Sequence, residues 1–409
     1  MPIVFVHGVN NREDDPGYEA GVALTRKFLE RHFEGIRIDG ETLQHADTVF
    51  PYWGDLATTF AWDMASLPET DTDTDTLGGD AALPDETRWM LAELGRSTAS
   101  APGFDAEPLL ALANQDFPAS VVALSDMLVT TAPPGTAEQA ADLAVALQIY
   151  ADHNSHPAWL ATVQGDKQFV SRLWREAIHV KDPSGDDALG FPNVQKVLAN
   201  ALQRMRRGLT TLGDELFDAA GDYASTRILR QHRRALNGTI GRFFGDVFVY
   251  LHERGDAAAP GRIPSRILVA IDGAMAVAPP AEPLILVGHS LGAVVLFDLL
   301  GHFRPGLQVD LFVSVGSQVA HFEEIKRFLA SEPNVPRPDV RHAATPSNIR
   351  HWINVYDEVD VFSYAAKRVF DRVVDRPYDT RTHSLKAHGA YFRQNRFYEE
   401  MRGWIEELA

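Results

Sequence analysis

The chain is expected to adopt an α/β fold: a mostly parallel sheet of about six strands, flanked by helices and interrupted by a large α-helical insertion. Three observations lead there. The segments 3–6, 284–287, 309–315 and 349–356 are short, branched-apolar runs of the kind found in strands buried on both faces. The runs at 3–6 and 284–287 pass through glycine-bearing turns into helical periodicity, which is the order of a strand–turn–helix unit. Finally, 282 positions separate Gly8 from Ser290. Helix, strand, helix and strand need roughly 60 to 80, so about 200 residues are surplus, and their period is helical.

Composition bounds the rest. At 409 residues the chain exceeds a typical single domain, so two units, or one domain with a large insertion, are expected. The apolar share of 45% is ordinary for a globular protein, and no run of about 18 apolar residues is present to span a bilayer. A formal charge of −18 works against nucleic acid as the main partner, because the phosphate backbone would be repelled. The chain has no cysteine, which excludes disulfides, thiolate metal sites and a cysteine nucleophile. Met1-Pro2 leads straight into the first strand with no basic n-region or cleavage site. A cytoplasmic location is therefore expected, with export lacking a cleaved signal left open.

Taken in order, 3–6 is a short buried strand running into His7-Gly8-Val9-Asn10-Asn11. A helix over 17–33 follows, with Leu24, Phe28 and Leu29 on one face, and 48–50 makes a second strand closing in Pro51-Tyr52-Trp53-Gly54. Residues 1–54 and 245–409 are assigned to one discontinuous core. Residues 55–244 are assigned to a helical cap over the sheet's carboxyl edge, where open α/β sheets bind ligands. Within the cap, helices are expected over 86–94, 119–129, 137–150, 168–179, 194–207 and 223–236. The run from Asp71 to Thr76 begins like a calcium loop, but Thr76 takes the glycine position and Ala82 the glutamate position, so no metal site is assigned. Arg204, Arg206, Arg207, Arg227, Arg230, Arg233, Arg234 and Arg242 form the one basic region of an acidic chain. They read as a solvated helix face, with a seat for a phosphate, anionic head group or acidic partner as the sharper alternative. Core pattern returns at 245–250, and a helix over 265–276 precedes the strand 284–287. Strand 309–315, a helix over 321–329, a proline-rich loop over 333–346, strand 349–356 and a short last strand over 372–374 follow. A terminal amphipathic helix runs to about Glu407.

The chemistry concentrates at Gly288-His289-Ser290-Leu291-Gly292. A serine at the tip of so tight a strand-to-helix turn stands clear of the sheet, because Gly288 and Gly292 lack the side chains that would collide with it and with the neighbouring strand. Its hydroxyl is presented as a nucleophile, and the amide of Leu291 points into the space where an oxyanion would form. A hydroxyl needs a base within hydrogen-bond reach, and the base needs a group that fixes its tautomer, so imidazole with a carboxylate is expected. After the strand 349–356 come Asp357, Glu358 and Asp360. Asp360 is favoured because apolar Val361 and Phe362 follow and would bury it; Asp357 is the alternate. His388 is favoured as the base, with Gly389 beside it and a helix directly after; His383 is the alternate.

The motifs Val4-Phe-Val-His-Gly8, Gly288-His-Ser-Leu-Gly292, Val315-Gly-Ser-Gln318, Asn354-Val-Tyr-Asp-Glu-Val-Asp360 and His388-Gly-Ala-Tyr391 together resemble the lipase- and esterase-like branch of the α/β-hydrolase superfamily. The likeness covers residues 1–54 and those from 245 onward. It implies an α/β-hydrolase fold without its first two strands, since the chain begins at what is usually the third. It also implies Ser290 as nucleophile, Asp360 as acid, His388 as base, and the amides of Val9 and Leu291 as oxyanion donors. His7, Gly8, Gly288, His289 and Gly292 are supporting, with His7 read as a brace of its loop. No cofactor and no metal are implied.

The expected reaction is hydrolysis of carboxylic esters through an acyl-enzyme, on lipid-like acyl groups because the cap is rich in Leu, Val, Phe and Trp. Acyl transfer or thioester hydrolysis with the same triad is a second reading. A binding or effector module whose cap recognises a protein partner and gates hydrolysis is a third. Peripheral contact with a membrane is compatible with the enzyme readings.

Overall fold

The computed structural model describes residues 3–66, 94, 98–104, 106–181, 198, 201–206, 233–277, 282–382 and 384–408. Six strands, β1 (Ile3–Val6), β4 (Thr48–Val49), β5 (Ile285–His289), β6 (Val309–Val315), β7 (Ile349–Tyr356) and β8 (Val374–Pro377), form one sheet in the order β4-β1-β5-β6-β7-β8. Every pairing in it is parallel. A separate antiparallel hairpin joins β2 (Arg37–Ile38) to β3 (Glu41–Thr42). The chain winds outward from β1 to β4 and then returns to β5 on the other side of β1. The winding therefore reverses between β1 and β5, and the crevice at their carboxyl ends is where open α/β sheets hold ligands.

The helices are α1 (Tyr18–Phe33), α2 (Pro108–Gln115), α3 (Phe117–Thr130), α4 (Ala137–His153), α5 (Asp166–Lys181), α6 (Arg233–Glu253), α7 (Arg262–Val277), α8 (Leu291–Asp298), α9 (Val319–Glu324), α10 (Ser384–Ala390) and α11 (Asn395–Glu406). Alternation along the strands divides the core between the two faces. Val4, Val6, Leu284, Leu286, Phe312 and Trp352 pack with α6, α7 and α8. Ile3, Phe5, Ile285, Val287, Val313 and Ile353 pack with α1 and α11. A third apolar cluster lies among α2, α3, α4 and α5. Helix α4 belongs to two clusters: Ala140, Ala141, Ala144 and Val145 meet the α1 side, while Leu143, Leu147 and Tyr150 face the third cluster.

Of the described helices between 55 and 232, α3 and α4 pack on α1 and α4 also on α11, with α2 packed on α3 and α5 on α4. The pattern at 245–250 is not a strand but part of α6, so a boundary at 244/245 falls inside a helix. Phe243, Asp246 and Tyr250 are buried while Phe244 and Phe248 are exposed, a period of three to four. The local strand preference of Val247, Phe248 and Val249 yields to that packing. Helix α9 ends at Glu324, short of the expected 329, and His388 precedes the last helix, α11, as expected, but sits in the short helix α10 rather than in a loop. The helices α2 and the hairpin β2–β3 carried too few residues to show a period. The expected helix over 86–94 and the run 71–76 lie outside the described residues, Leu94 apart, as do residues 223–232 of the helix expected over 223–236. Arg207, Arg227 and Arg230 lie there as well. Of the remaining arginines, Arg206 sits beside Glu107 and Asp166, and Arg242 beside Asp15, in keeping with a charge-paired helix face.

Candidate active site

Ser290 joins β5 to α8 as the residue just before the helix, with φ 53° and ψ −126°, a conformation that costs a non-glycine residue energy and persists only where its surroundings impose it. Its amide donates to Val315 O at 3.0 Å, which fastens the turn to β6. A β-carbon on Gly292 would stand 2.2 Å from Val6 O, and one on Gly8 would stand 2.6 Å from Ser290 Cβ. Only glycine lets the loop after β1 and the start of α8 close upon the serine from both sides.

His388 Nε2 lies 2.8 Å from Ser290 Oγ, and its Nδ1 lies 3.0 and 3.1 Å from the two carboxylate oxygens of Asp360. An Nδ1–H donated to the carboxylate leaves Nε2 free to accept the serine proton, the tautomer that general-base chemistry requires. Asp360 is 2% exposed. It also accepts the amide of Phe362 at 2.9 Å and the phenol of Tyr391 at 3.0 Å. Burial, followed by the neighbouring Asp360 charge, holds the Tyr391 phenol far above its ordinary pKa, so it remains a donor.

The alternate acid is used elsewhere. Asp357 accepts the amide and hydroxyl of Thr380 at 2.8 and 2.6 Å and the amide of Val359 at 3.0 Å, so it pins the chain at 380. His383 lies outside the described residues. His289 donates from Nε2 to the backbone oxygen of His388 at 2.7 Å and holds the main chain of α10 at that residue. Burial, and then the nearby His388, lower its pKa to about 3, so it stays neutral.

The loop after β1 is held by a different histidine. His7 donates from Nδ1 to Gly8 O at 2.8 Å, accepts the Trp53 amide on Nε2 at 3.2 Å, and stacks on the Trp53 ring at 4.8 Å. Burial lowers its pKa to about 4, in keeping with a neutral brace. Asn11 Nδ2 also donates to Gly8 O, at 3.2 Å. In a trans peptide the next N–H points opposite to that carbonyl, so fixing Gly8 O aims the Val9 amide away from both donors. The Leu291 amide is the first of α8 and has no acceptor within the helix. Among the described residues neither amide donates a hydrogen bond. The arrangement can deprotonate a hydroxyl.

Several neighbours escaped the sequence reading. Gln318 donates from Nε2 to Phe362 O at 2.6 Å and Gly316 O at 3.0 Å, and stands 3.5 Å from Ser290 Oγ. Phe243 of α6 packs on Phe362 at 4.4 Å between ring centres, and both rings face His388. Lys386 pairs with buried Asp126 of α3 at 2.8 Å, two residues before His388. Gln148 of α4 bonds Arg393 O and the Asn395 amide, both at 2.9 Å, just beyond it. Gln318 and Tyr391 fell within motifs singled out above, and Phe362 was named as an apolar neighbour of Asp360; Phe243, Lys386, Asp126 and Gln148 are joined to the site across long sequence separations and left no local signal.

Among the described residues no His, Asp and Glu side chains converge as a metal site, and no helix is long and apolar enough to cross a membrane. No family model, curated protein or solved structure matches this chain.

Proposed function

We propose that the chain is a serine hydrolase of α/β-hydrolase type that cleaves carboxylic esters through an acyl-enzyme. The observation that carries this reading is the continuous hydrogen-bonded chain Ser290–His388–Asp360, set on a strained turn. Ser290 Oγ attacks the ester carbonyl while His388 Nε2 takes its proton, and the carbonyl oxygen becomes an oxyanion facing the amides of Val9 and Leu291. The proton passes from His388 to the departing alkoxide, which leaves as the alcohol. Water, deprotonated by the same imidazole, then releases the acid and restores Ser290.

A lipid-like acyl group is favoured by the apolar surroundings of the base. Phe243 and Phe362 line one side of His388, and Ile240, Phe244 and Phe248 extend outward along α6 as exposed apolar side chains at four-residue spacing. The helical segment inserted between β4 and β5 is read as a cap that also steadies the base, through Asp126 and Gln148. A fluorophosphonate probe should label the wild-type chain on Ser290, and Ser290→Ala should abolish the label. Labelling that persists in Ser290→Ala overturns the assignment, and a panel of esters graded in acyl length tests the substrate class.

A further inference from the structure

We propose that Asp246 of α6 is the positioning residue of the oxyanion loop, holding the Val9 amide in register with Ser290 from 237 positions away in the chain. This rests on the hydrolase reading above. The Asp246 carboxylate is fully buried, and both its oxygens are engaged by the loop after β1 and by the start of the inserted segment. Oδ1 accepts Arg12 Nη2 at 2.8 Å and the Thr58 amide at 2.9 Å. Oδ2 accepts the Asn10 amide at 3.0 Å and Arg12 Nη1 at 3.3 Å. A two-pronged guanidinium and two main-chain amides thus converge on one carboxylate, a geometry with little freedom.

The consequence falls on the adjacent peptide. Asn10 directly follows Val9 and has φ 62°, a left-handed conformation that needs outside support in a non-glycine residue. Asp246 binds the Asn10 N–H on one side of the loop, and His7 and Asn11 bind Gly8 O. The peptides before and after Val9 are therefore both fixed, and the N–H of the first, that of Val9, is left to the reaction. Because Gly8 lies against Ser290 Cβ, a shift of the loop changes the distance from that amide to the reacting oxygen directly. Arg12 neutralises Asp246, so the carboxylate serves geometry without opposing the oxyanion's charge. Two opposite expectations separate positioning from bulk electrostatics. If Asp246 acted on the oxyanion only as a nearby negative charge, removing that charge would speed the reaction; as a positioning residue, its loss slows it.

The test compares wild type, Asp246→Asn and Arg12→Lys on matched p-nitrophenyl esters and thionoesters, with phosphonylation of Ser290 followed in parallel. Arg12→Lys keeps the charge and loses the fork, and stands in should Asp246→Asn fail to fold. The expected result is a roughly 10- to 100-fold fall in kcat on the ester with KM little changed, since displacement of one oxyanion donor acts in the transition state. The ester-to-thionoester rate ratio should fall several-fold, because sulfur uses the amide donors poorly and has less to lose. A kcat that is unchanged or raised, or one that falls with the wild-type ester-to-thionoester ratio intact, overturns the proposal. A wild-type chain that does not react at Ser290 overturns the hydrolase reading itself.

Discussion

Tyr391→Phe removes one oxygen and leaves every ring contact in place, so its effect can be worked from two hydrogen bonds. The phenol accepts the Asp357 amide at 2.9 Å and donates to Asp360 Oδ2 at 3.0 Å, joining the two acidic positions of the loop after β7. Loss of a bond to a charged group costs about 1.5–3 kcal/mol, while the Asp357 amide keeps its longer bond to Ser363 Oγ at 3.3 Å and is not orphaned. The desolvation cost of the phenol itself disappears, so the net loss of stability is set at about 1–2 kcal/mol. Asp360 keeps the Phe362 amide and His388, so its carboxylate is loosened rather than released. Turnover should drop by about tenfold, equivalent to roughly 1.4 kcal/mol, with KM unchanged. Urea unfolding of both proteins at matched m-values gives the first quantity and steady-state ester hydrolysis the second. A loss below about 0.5 kcal/mol at unchanged m would refute the claim that this hydroxyl holds both carboxylate positions.

Two further outcomes follow from the same geometry. His7 and His289 are held neutral in the fold, at about 4 and about 3 against an ordinary 6.5, so the unfolded chain binds more protons at mildly acid pH. Their contribution is whole above pH 6.5 and is lost as pH falls toward about 4, with His7 alone accounting for on the order of 3 kcal/mol; stability measured from pH 7 to 4 should decline less steeply in His7→Asn than in wild type. Lys386→Met strands the buried Asp126 carboxylate and should cost about 3–5 kcal/mol, whereas Asp126→Leu combined with Lys386→Met should restore much of it, as read by denaturant unfolding.

Much of the fold was legible because strands buried on both faces are written as apolar runs: 309–315 and 349–356 match β6 and β7 residue for residue. The close spacing of glycines around Ser290 was legible for a steric reason that the turn repeats, and the order of Asp360 and His388 after it needed no distances. Residues that act across the sheet were not legible. Asp246 sits in a stretch whose side chains favour a strand, and its partners Asn10, Arg12 and Thr58 are recognisable only once α6 has been laid beside β1. Asp357 and Asp360 differ by three positions, and what separates them is the direction each carboxylate takes, toward Thr380 or toward His388. The two-sided packing of α4 was hidden because small alanines carry a weak periodic signal, though they are what lets α1 approach.

The pairing of β1 with β5 bears on how the molecule is made. Ile3 lies against Ile285, so the central register of the sheet joins residues near one end of the chain to residues 282 positions later. During synthesis at about 5–20 residues per second, β1 waits tens of seconds for that partner, and β4, with two paired residues, is its only sheet neighbour until then. An apolar strand with an open edge over that interval invites pairing with other chains. Helix α1 and the hairpin β2–β3 are complete within the first 42 residues and can shelter one face of β1 early. The crevice at the β1–β5 junction thus cannot form before β5 is made, and assembly of the hydroxyl, the imidazole and the carboxylate comes only when β7 and α10 have followed it.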